Sequence, residues 1–236
     1  MSEHTVKSYD QELEALNRMI AEMGGLAEKM LSDSIDALEN LDVELAHRVV
    51  STDTRLDLLQ GKIEESAVLT IARRQPMAID LRECIAAVRI SGDIERVGDL
   101  AKNLARRTTV LAAEGLKLQR AIPGLRAMQD MAASQLKDVL DAYAERDPER
   151  AKLVWSEDTK LDALEDSVFR DLLTSMMEDP RNISPCTHLL FCSKNLERIG
   201  DHTTNIAETV VYLVTGQTMP LDRPKGSRWP SVPGDS

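Results

Sequence analysis

Glu95-Arg96-Val97-Gly98-Asp99 occurs twice in this chain, returning as Glu197-Arg198-Ile199-Gly200-Asp201. The surroundings return with it: Ser91 and Ser193 upstream, Asn103 and Asn205 downstream, then Ala105 and Ala207. Positions i, i+4 and i+8 of a helix share a face, so Glu95, Asp99 and Asn103 form one polar ridge. A single acid pair at that spacing is ordinarily a solvated face. Repeated with Arg and Gly at the same inner positions, it is a specific signal.

Two arguments weigh against a merely wet ridge. Like charges at i,i+4 cost an isolated helix about 0.2–0.5 kcal/mol. The ridge also continues an apolar line, with Leu81, Cys84, Ile85 and Val88 leading into Ser91 and then Glu95. A carboxylate aimed at a neighbouring helix needs a cation, because burying it unpaired costs several kcal/mol or forces protonation. Lys102 stands one turn beyond Asp99, but the repeat has Thr204 there, so the repeated element is the acid pair and not a salt bridge. The pattern leaves two readings open: a shared metal site, or an acidic ridge that is structural or faces a partner. Gly98 and Gly200 sit mid-helix at a cost of about 1 kcal/mol relative to Ala, which implies close approach by another backbone or a ligand.

Periodicity extends the helices outward from the motif. Over residues 6–41 the apolar spacing is close to 3.5, with Leu13, Ile20 and Ala27 on one line and Leu16, Met23 and Met30 on the other. Gly24-Gly25 predicts a kink there. Asp42 is an N-cap for a second helix through Arg74, with Leu45, Val49, Leu56, Ile63 and Ile71 inward. Pro76 suits the first turn of a third helix that ends near Ala113. Residues 115–124 read as a linker, and Pro123 opens a fourth helix through Leu125, Met128, Ala132, Leu136, Val139 and Tyr143. Asp147-Pro148-Glu149 supplies the cap, first-turn proline and first-turn acid of a fifth. Ser184-Pro185 opens the sixth, and Gly216 closes it.

Residues 31–57 align without a gap on residues 136–162, with about half the positions identical. The offset is 105 at Asp53/Asp158 and 102 at Glu95/Glu197, so three residues are lost in the second inter-helix turn. Long helices joined by short connections pack antiparallel. The expected fold is all-α: two tandem, sequence-related antiparallel three-helix bundles over 1–115 and 116–216, then a Pro-, Gly- and Ser-rich disordered tail over 217–236. Trp229 in that tail is a possible docking anchor.

A second acid pair, Asp53 and Asp57, is duplicated as Asp158 and Asp162. Asp53 falls on the apolar line between Val49 and Leu56, which points it at the third helix. Two facing pairs would give each bundle four carboxylate ligands, suited to Mg²⁺, Ca²⁺, Mn²⁺ or iron. The alternative places Asp53 and Asp57 on the wet side. His202 follows Asp201, but Leu100 replaces it in the first half, so it is not assigned as a ligand.

Bulk properties narrow the function. A net charge of −11 argues against nucleic-acid binding and fits a protein that handles cations or meets basic surfaces. The N-terminus lacks the apolar core of a signal peptide and no run is long enough to span a membrane, so the expectation is a cytoplasmic chain without direct membrane insertion. Cys84, Cys186 and Cys192 form no C-x-x-C pair and read as buried free thiols in a reducing compartment.

Arg73-Arg74-Gln75-Pro76-Met77-Ala78-Ile79-Asp80-Leu81-Arg82, Asp93-Ile94-Glu95-Arg96-Val97-Gly98-Asp99 and Asn195-Leu196-Glu197-Arg198-Ile199-Gly200-Asp201 together resemble the PhoU family of bacterial phosphate-signalling regulators. The resemblance covers residues 6–216. It implies a two-bundle helical fold and, as in some members, multinuclear metal sites on the Glu/Asp-x-x-x-Asp motifs. These carry over to Glu95 and Asp99 and to Glu197 and Asp201; the duplicated second acid pair adds Asp57 and Asp162 as expected further ligands. The ion would be divalent or trivalent: Mg, Mn, Fe or Zn. The resemblance further implies a cytoplasmic adaptor, frequently a homodimer. Its partners would be the ATPase subunit of a phosphate ABC transporter and a phosphate sensor histidine kinase, with the phosphate-starvation response repressed at high phosphate. The second half departs at Pro180-Arg181-Asn182-Ile183, where equivalence of the two bundles is in question.

A ferritin-like carboxylate-bridged metal enzyme is the alternative, together with a metal-binding helical scaffold. That enzyme class uses Glu-x-x-His. Here Gly98 and Gly200 stand at the histidine offset, and no phosphate-binding loop, dinucleotide fingerprint or nucleophile elbow is present, so no enzyme is expected.

Overall fold

The computed structural model describes residues 2–113 and 122–220, with side chains from residue 11 onward. Six long helices carry the fold: α1 (Ser2–Asn40), α2 (Val43–Arg74), α3 (Ile79–Ala113), α4 (Ile122–Glu145), α5 (Pro148–Glu178) and α6 (Ile183–Thr215). A short 3₁₀ turn, Pro180–Asn182, leads into α6. No strand occurs among the described residues. The expected linker centre and the tail beyond Pro220, with Trp229, lie outside them.

The duplication is visible atom by atom at the first turn of each half. Leu41 and Arg146, 105 residues apart, both take the left-handed conformation, with φ of 51° and 55°. In each turn the next amide reaches back five residues, Asp42 N to Ala37 O and Asp147 N to Ala142 O, both at 2.9 Å. This is a Schellman closure with a non-glycine residue at its left-handed position, a strain of about 1–2 kcal/mol. The caps follow at once. Asp42 Oδ1 accepts from Leu45 N at 2.9 Å. Asp147 Oδ1 accepts from Glu149 N at 2.9 Å and Arg150 N at 3.1 Å.

Two local expectations need correction. Pro76 lies in the connection before α3 and not in its first turn, because Gln75 and Ala78 both turn left-handed and the helix begins only at Ile79. Gly24-Gly25 does not break α1, which runs through it. A Cβ on Gly24 would stand 2.6 Å from Leu140 Cδ1, so this glycine is there to let α4 lie close.

The first three helices pack on one another, as do the last three, and α3·α6 and α1·α4 contacts join the halves. Arg82 Nε near the start of α3 donates to Leu213 O near the end of α6 at 3.3 Å. Arg107 near the end of α3 meets His188 near the start of α6 at 3.1 Å. These two helices therefore run antiparallel as a central seam. The buried apolar residues of all six helices form one continuous core, from Leu16, Ile20 and Met23 of α1 to Val210 and Leu213 of α6. Cys84, Cys186 and Cys192 are free and buried in it, and burial pushes the thiols of Cys84 and Cys192 up to about 11 and about 12. They are inert packing groups.

Candidate functional site

Both acid pairs of the first half are brought together where α2 lies against α3. Asp53 is buried, as its place on the apolar line of α2 requires. Its Oδ2 accepts from Lys102 Nζ at 2.5 Å, and the same ammonium donates to Asp99 Oδ1 at 2.5 Å. In the first half Asp99 thus does pair with Lys102, a lysine that the repeat lacks. Arg96 adds an exposed contact to Asp99 at 3.3 Å. Four carboxylates, Asp53, Asp57, Glu95 and Asp99, share these two cations. The excess shows in the outer pair. Burial, and then Asp99, holds Glu95 above the ordinary carboxylate range, and burial, and then Asp53, does the same to Asp57.

Gly98 stands beside this cluster, and a Cβ on it would meet Leu56 at 3.3 Å. The mid-helix glycine thus serves close packing of α3 on α2.

The second half builds the same corner from different side chains. Asp158, the counterpart of Asp53, is 4% exposed, and Thr204 stands at the position of Lys102. The Thr204 hydroxyl lies 3.4 Å from Asp158 Oδ1 and 2.8 Å from Gly200 O. Gln135, 4% exposed, stands where the first half has Met30. Its Oε1 and Asp158 Oδ1 each lie 3.5 Å from where a Gly200 Cβ would be, with Leu161 Cδ2 at 2.5 Å. Gln135 Oε1 is buried without a hydrogen-bond partner, and so is Glu197 Oε2 on the same side of α6. Glu197 Oε1 accepts from Lys194 Nζ at 2.5 Å, on the turn before the motif; the first half has Gly92 at that position.

Among the described residues, no three His, Cys, Asp or Glu side chains converge closely enough to hold a metal by themselves. The two halves therefore fit a family-implied cation differently. In the first, the position between Asp53 and Asp99 is filled by an ammonium, and the acids left in excess are Glu95 and Asp57. In the second, buried oxygens of Gln135 and Glu197 have no donor, which suits a hard ion that takes oxygen ligands.

Sequence reasoning missed the residues of the central seam. Asp93 Oδ1 lies 2.9 Å from His202 Nδ1 and accepts from Asn205 Nδ2 at 3.2 Å, tying α3 to α6. The signal was present, since His202 breaks the repeat where the first half has Leu100. An open cleft of about 880 Å³ lies here, lined among others by Arg89, Asp93, Arg96 and Tyr212 and bordered by Met219 and Pro220. Gln135 was missed and Lys102 set aside, and both are positions at which the halves differ.

The architecture defines a class: a duplicated three-helix bundle in which each copy carries an acidic corner between its second and third helices. The profile of the PhoU domain matches residues 20–108 and 125–210, one stretch in each half. The chain belongs to the PhoU family. It is 54% identical over 224 residues to the phosphate-specific transport system accessory protein PhoU homolog of Rhizobium meliloti (strain 1021), covering 94% of this chain and 93% of that one. The protein of the same description from Caulobacter vibrioides (strain NA1000 / CB15N) is 49% identical, with 95% and 97% covered. The crystal structure of PhoU from Pseudomonas aeruginosa superposes with a TM-score of 0.85 at 38% identity, over 89% of this chain and all of that one. The phosphate transport system regulatory protein PhoU from Streptococcus pneumoniae gives 0.81 at 28% identity, over 90% and 100%. The expected all-α two-bundle fold is thus observed, and the chain is a relative of accessory and regulatory proteins of phosphate transport. No helix among the described residues is long and apolar enough to cross a membrane.

Proposed function

We propose that this chain is a cytoplasmic regulator of phosphate uptake and signalling that couples a phosphate ABC transporter to a sensor histidine kinase and represses the phosphate-starvation response when phosphate is plentiful. The observation that carries this reading is full-length kinship: relatives named as accessory proteins of a phosphate-specific transport system align over nearly the whole chain. The fold supports an adaptor, since long packed helices present rigid faces. One of these, on α5, exposes Phe169, Leu173 and Met177 at i, i+4 and i+8. The partners are the ATPase subunit of the transporter and the kinase, and the chain works as a homodimer.

The acidic corners are cation sites in this reading, with Glu95, Asp99 and Asp57 in the first bundle and Glu197, Asp201 and Asp162 in the second as ligands for Mg, Mn, Fe or Zn. Support comes from the raised carboxyls of Glu95 and Asp57, which a bound cation would relieve. The function is tested by deleting the chain and following phosphate-starvation genes in phosphate-rich medium, with pull-down of both partners. Constitutive expression and recovery of both partners are expected. Normal shut-off with neither partner recovered sinks the adaptor reading.

A further inference from the structure

We infer that the slot between α1 and α4 is a binding site for a linear zwitterion, which places an oxygen acceptor at Arg146, an ammonium at Glu28 and an aliphatic stem between them.

The slot has a volume of about 330 Å³ and is lined by Asn17, Ile20, Gly25 and Glu28 of α1, by Leu140 of α4 and by Arg146 just beyond that helix. The two helices run antiparallel: Asn17 meets Tyr143, Gly24 lies against Leu140, and Asp36 meets Arg126. Asn17 and Glu28 therefore mark the two ends, about 16 Å of helical rise apart.

One end holds an unmet donor. Arg146 Nη2 donates to Glu83 Oε1, which also accepts from Asn17 Nδ2 at 3.1 Å, so Arg146 belongs to the Asn17 end. Its guanidinium leans back over the Tyr143 ring, 4.8 Å from the centroid. Among the described residues, its Nη1 is buried without a hydrogen-bond partner. A buried charged donor left unmade is costly, and a ligand oxygen would satisfy it. The other end holds an unmet acceptor. Glu28 is partly buried, and no hydrogen bond or ion pair reaches its carboxylate among the described residues. Burial raises this carboxyl above the ordinary range, and Lys137, which is engaged by Asp141 at 2.8 Å, opposes the rise only in part. The Glu28 side chain leans towards the start of α1, so it and Arg146 approach each other along the slot.

Gly25 shows that the space between them is kept. A mid-helix glycine destabilises a helix relative to alanine. Gly24 has a packing reason in Leu140, but a Cβ on Gly25 would meet nothing within 4 Å, and its backbone needs no positive φ. The repeat-related end of the same helix pair is bridged instead. Arg126, 105 residues on from Ala21, reaches across to Asp36 at 2.7 Å and to Glu39. One end is thus closed by the chain's own ion pairs. The other leaves a cationic donor and a carboxylate facing an apolar gap, which a molecule of opposite polarity at its two ends fills.

This inference goes beyond the regulatory reading and does not depend on it. The probes are 8-aminooctanoate, octylamine and octanoate, titrated into the full-length chain by calorimetry. 8-Aminooctanoate should bind once per chain, and each single-ended probe roughly tenfold or more weaker. Glu28→Gln should weaken 8-aminooctanoate by roughly tenfold or more while leaving octanoate unchanged. Arg146→Leu, which copies Leu41 of the first half, should make 8-aminooctanoate and octylamine bind alike. Gly25→Leu fills the slot, so it should abolish binding of all three probes while raising Tm. No saturable binding of 8-aminooctanoate, or equal affinity for the three probes in the unsubstituted chain, overturns the inference. A Gly25→Leu chain that binds as before or melts lower, or a Glu28→Gln chain with unchanged affinity for 8-aminooctanoate, overturns it equally.

Discussion

Lys102 and Thr204 occupy the same position in two copies of one bundle, and the corners around them have diverged accordingly. In the first bundle Asp53 and Asp99 share an ammonium, and Met30 is buried in the core. In the second, the lysine has moved to the other side of the motif, where Lys194 reaches Glu197, and the inner position is lined by neutral oxygens and Asp158. Duplication kept the frame, meaning the turn, the cap, the buried aspartate and the glycine. Among the side chains around that frame, it changed Lys102 to Thr204 and Met30 to Gln135. A repeated acidic motif is therefore two different chemical environments, and carrying a ligand set from one half to the other is unsafe without the side chains one turn away.

The largest test of that contrast is to remove the internal cation. Lys102→Ala leaves Asp53 buried without its ammonium and Asp99 with only the exposed Arg96 contact, so it should destabilise by about 3 kcal/mol. That is a fall in Tm of roughly 6–12 °C for a chain of this size. Thr204→Ala removes a hydroxyl whose contact to Asp158 is long, and should cost about 1 kcal/mol or less. Thermal unfolding of both variants side by side checks it, and equal losses would erase the distinction between the corners.

The glycines offer a second, smaller contrast. A Cβ at position 200 stands 2.5 Å from Leu161 Cδ2, whereas at position 98 the nearest atoms are Leu56 methyls at 3.3 Å. Gly200→Ala should cost about 1–2 kcal/mol from crowding. Gly98→Ala should be close to neutral, because the gain in helix propensity of about 1 kcal/mol offsets a slight shift of Leu56. The caps sharpen the comparison at a third site. Asp147 accepts from two amides and Asp42 from one, so Asp147→Ala should cost about 1.5 kcal/mol and Asp42→Ala about 1. Denaturant titration resolves such differences.

The smallest effect is a pH dependence. Burial, and then Asp99, raises the Glu95 carboxyl in the folded chain. A raised folded-state pKa means that the native state holds the proton more tightly than the unfolded one. The stability this confers is present at low pH and is lost as pH rises through the folded value. Glu95→Gln should therefore stabilise the metal-free chain by about 0.5 kcal/mol near neutral pH, with the gain disappearing as pH falls towards the ordinary Glu value of about 4.3. Melting curves across that range decide it. A gain that grows on acidification would contradict the assignment.

Most of the fold was legible because its determinants are local or periodic. The 3.5-residue spacing over α1, the caps at Asp42 and Asp147 and the stop at Gly216 each act within a few residues, and the repeat supplied the bundle architecture. Gly24 misled because its reason lies across space, in Leu140 of α4. The corners were half legible. Burial of Asp53 could be read from its place between Val49 and Leu56, but its partner Lys102 lies 49 residues away on another helix. The comparison of repeats was used to discard that lysine as unrepeated. The same comparison, turned round, marks Lys102/Thr204, Met30/Gln135 and Leu100/His202 as the positions where the copies do different work.

The continuous core has a consequence for how the chain is made. The first three helices emerge from the ribosome before the last three exist, with the faces of α1 and α3 that will meet α4 and α6 still uncovered. At a synthesis rate of about 5–20 residues per second, that interval lasts roughly 5–25 seconds for the second half. The nascent first bundle must stay soluble for that time with part of its final core exposed to water. The exposed acidic side chains of α2, such as Glu44, Glu64 and Glu65, on a helix that among the described elements touches only α1 and α3, give it the surface on which to do so.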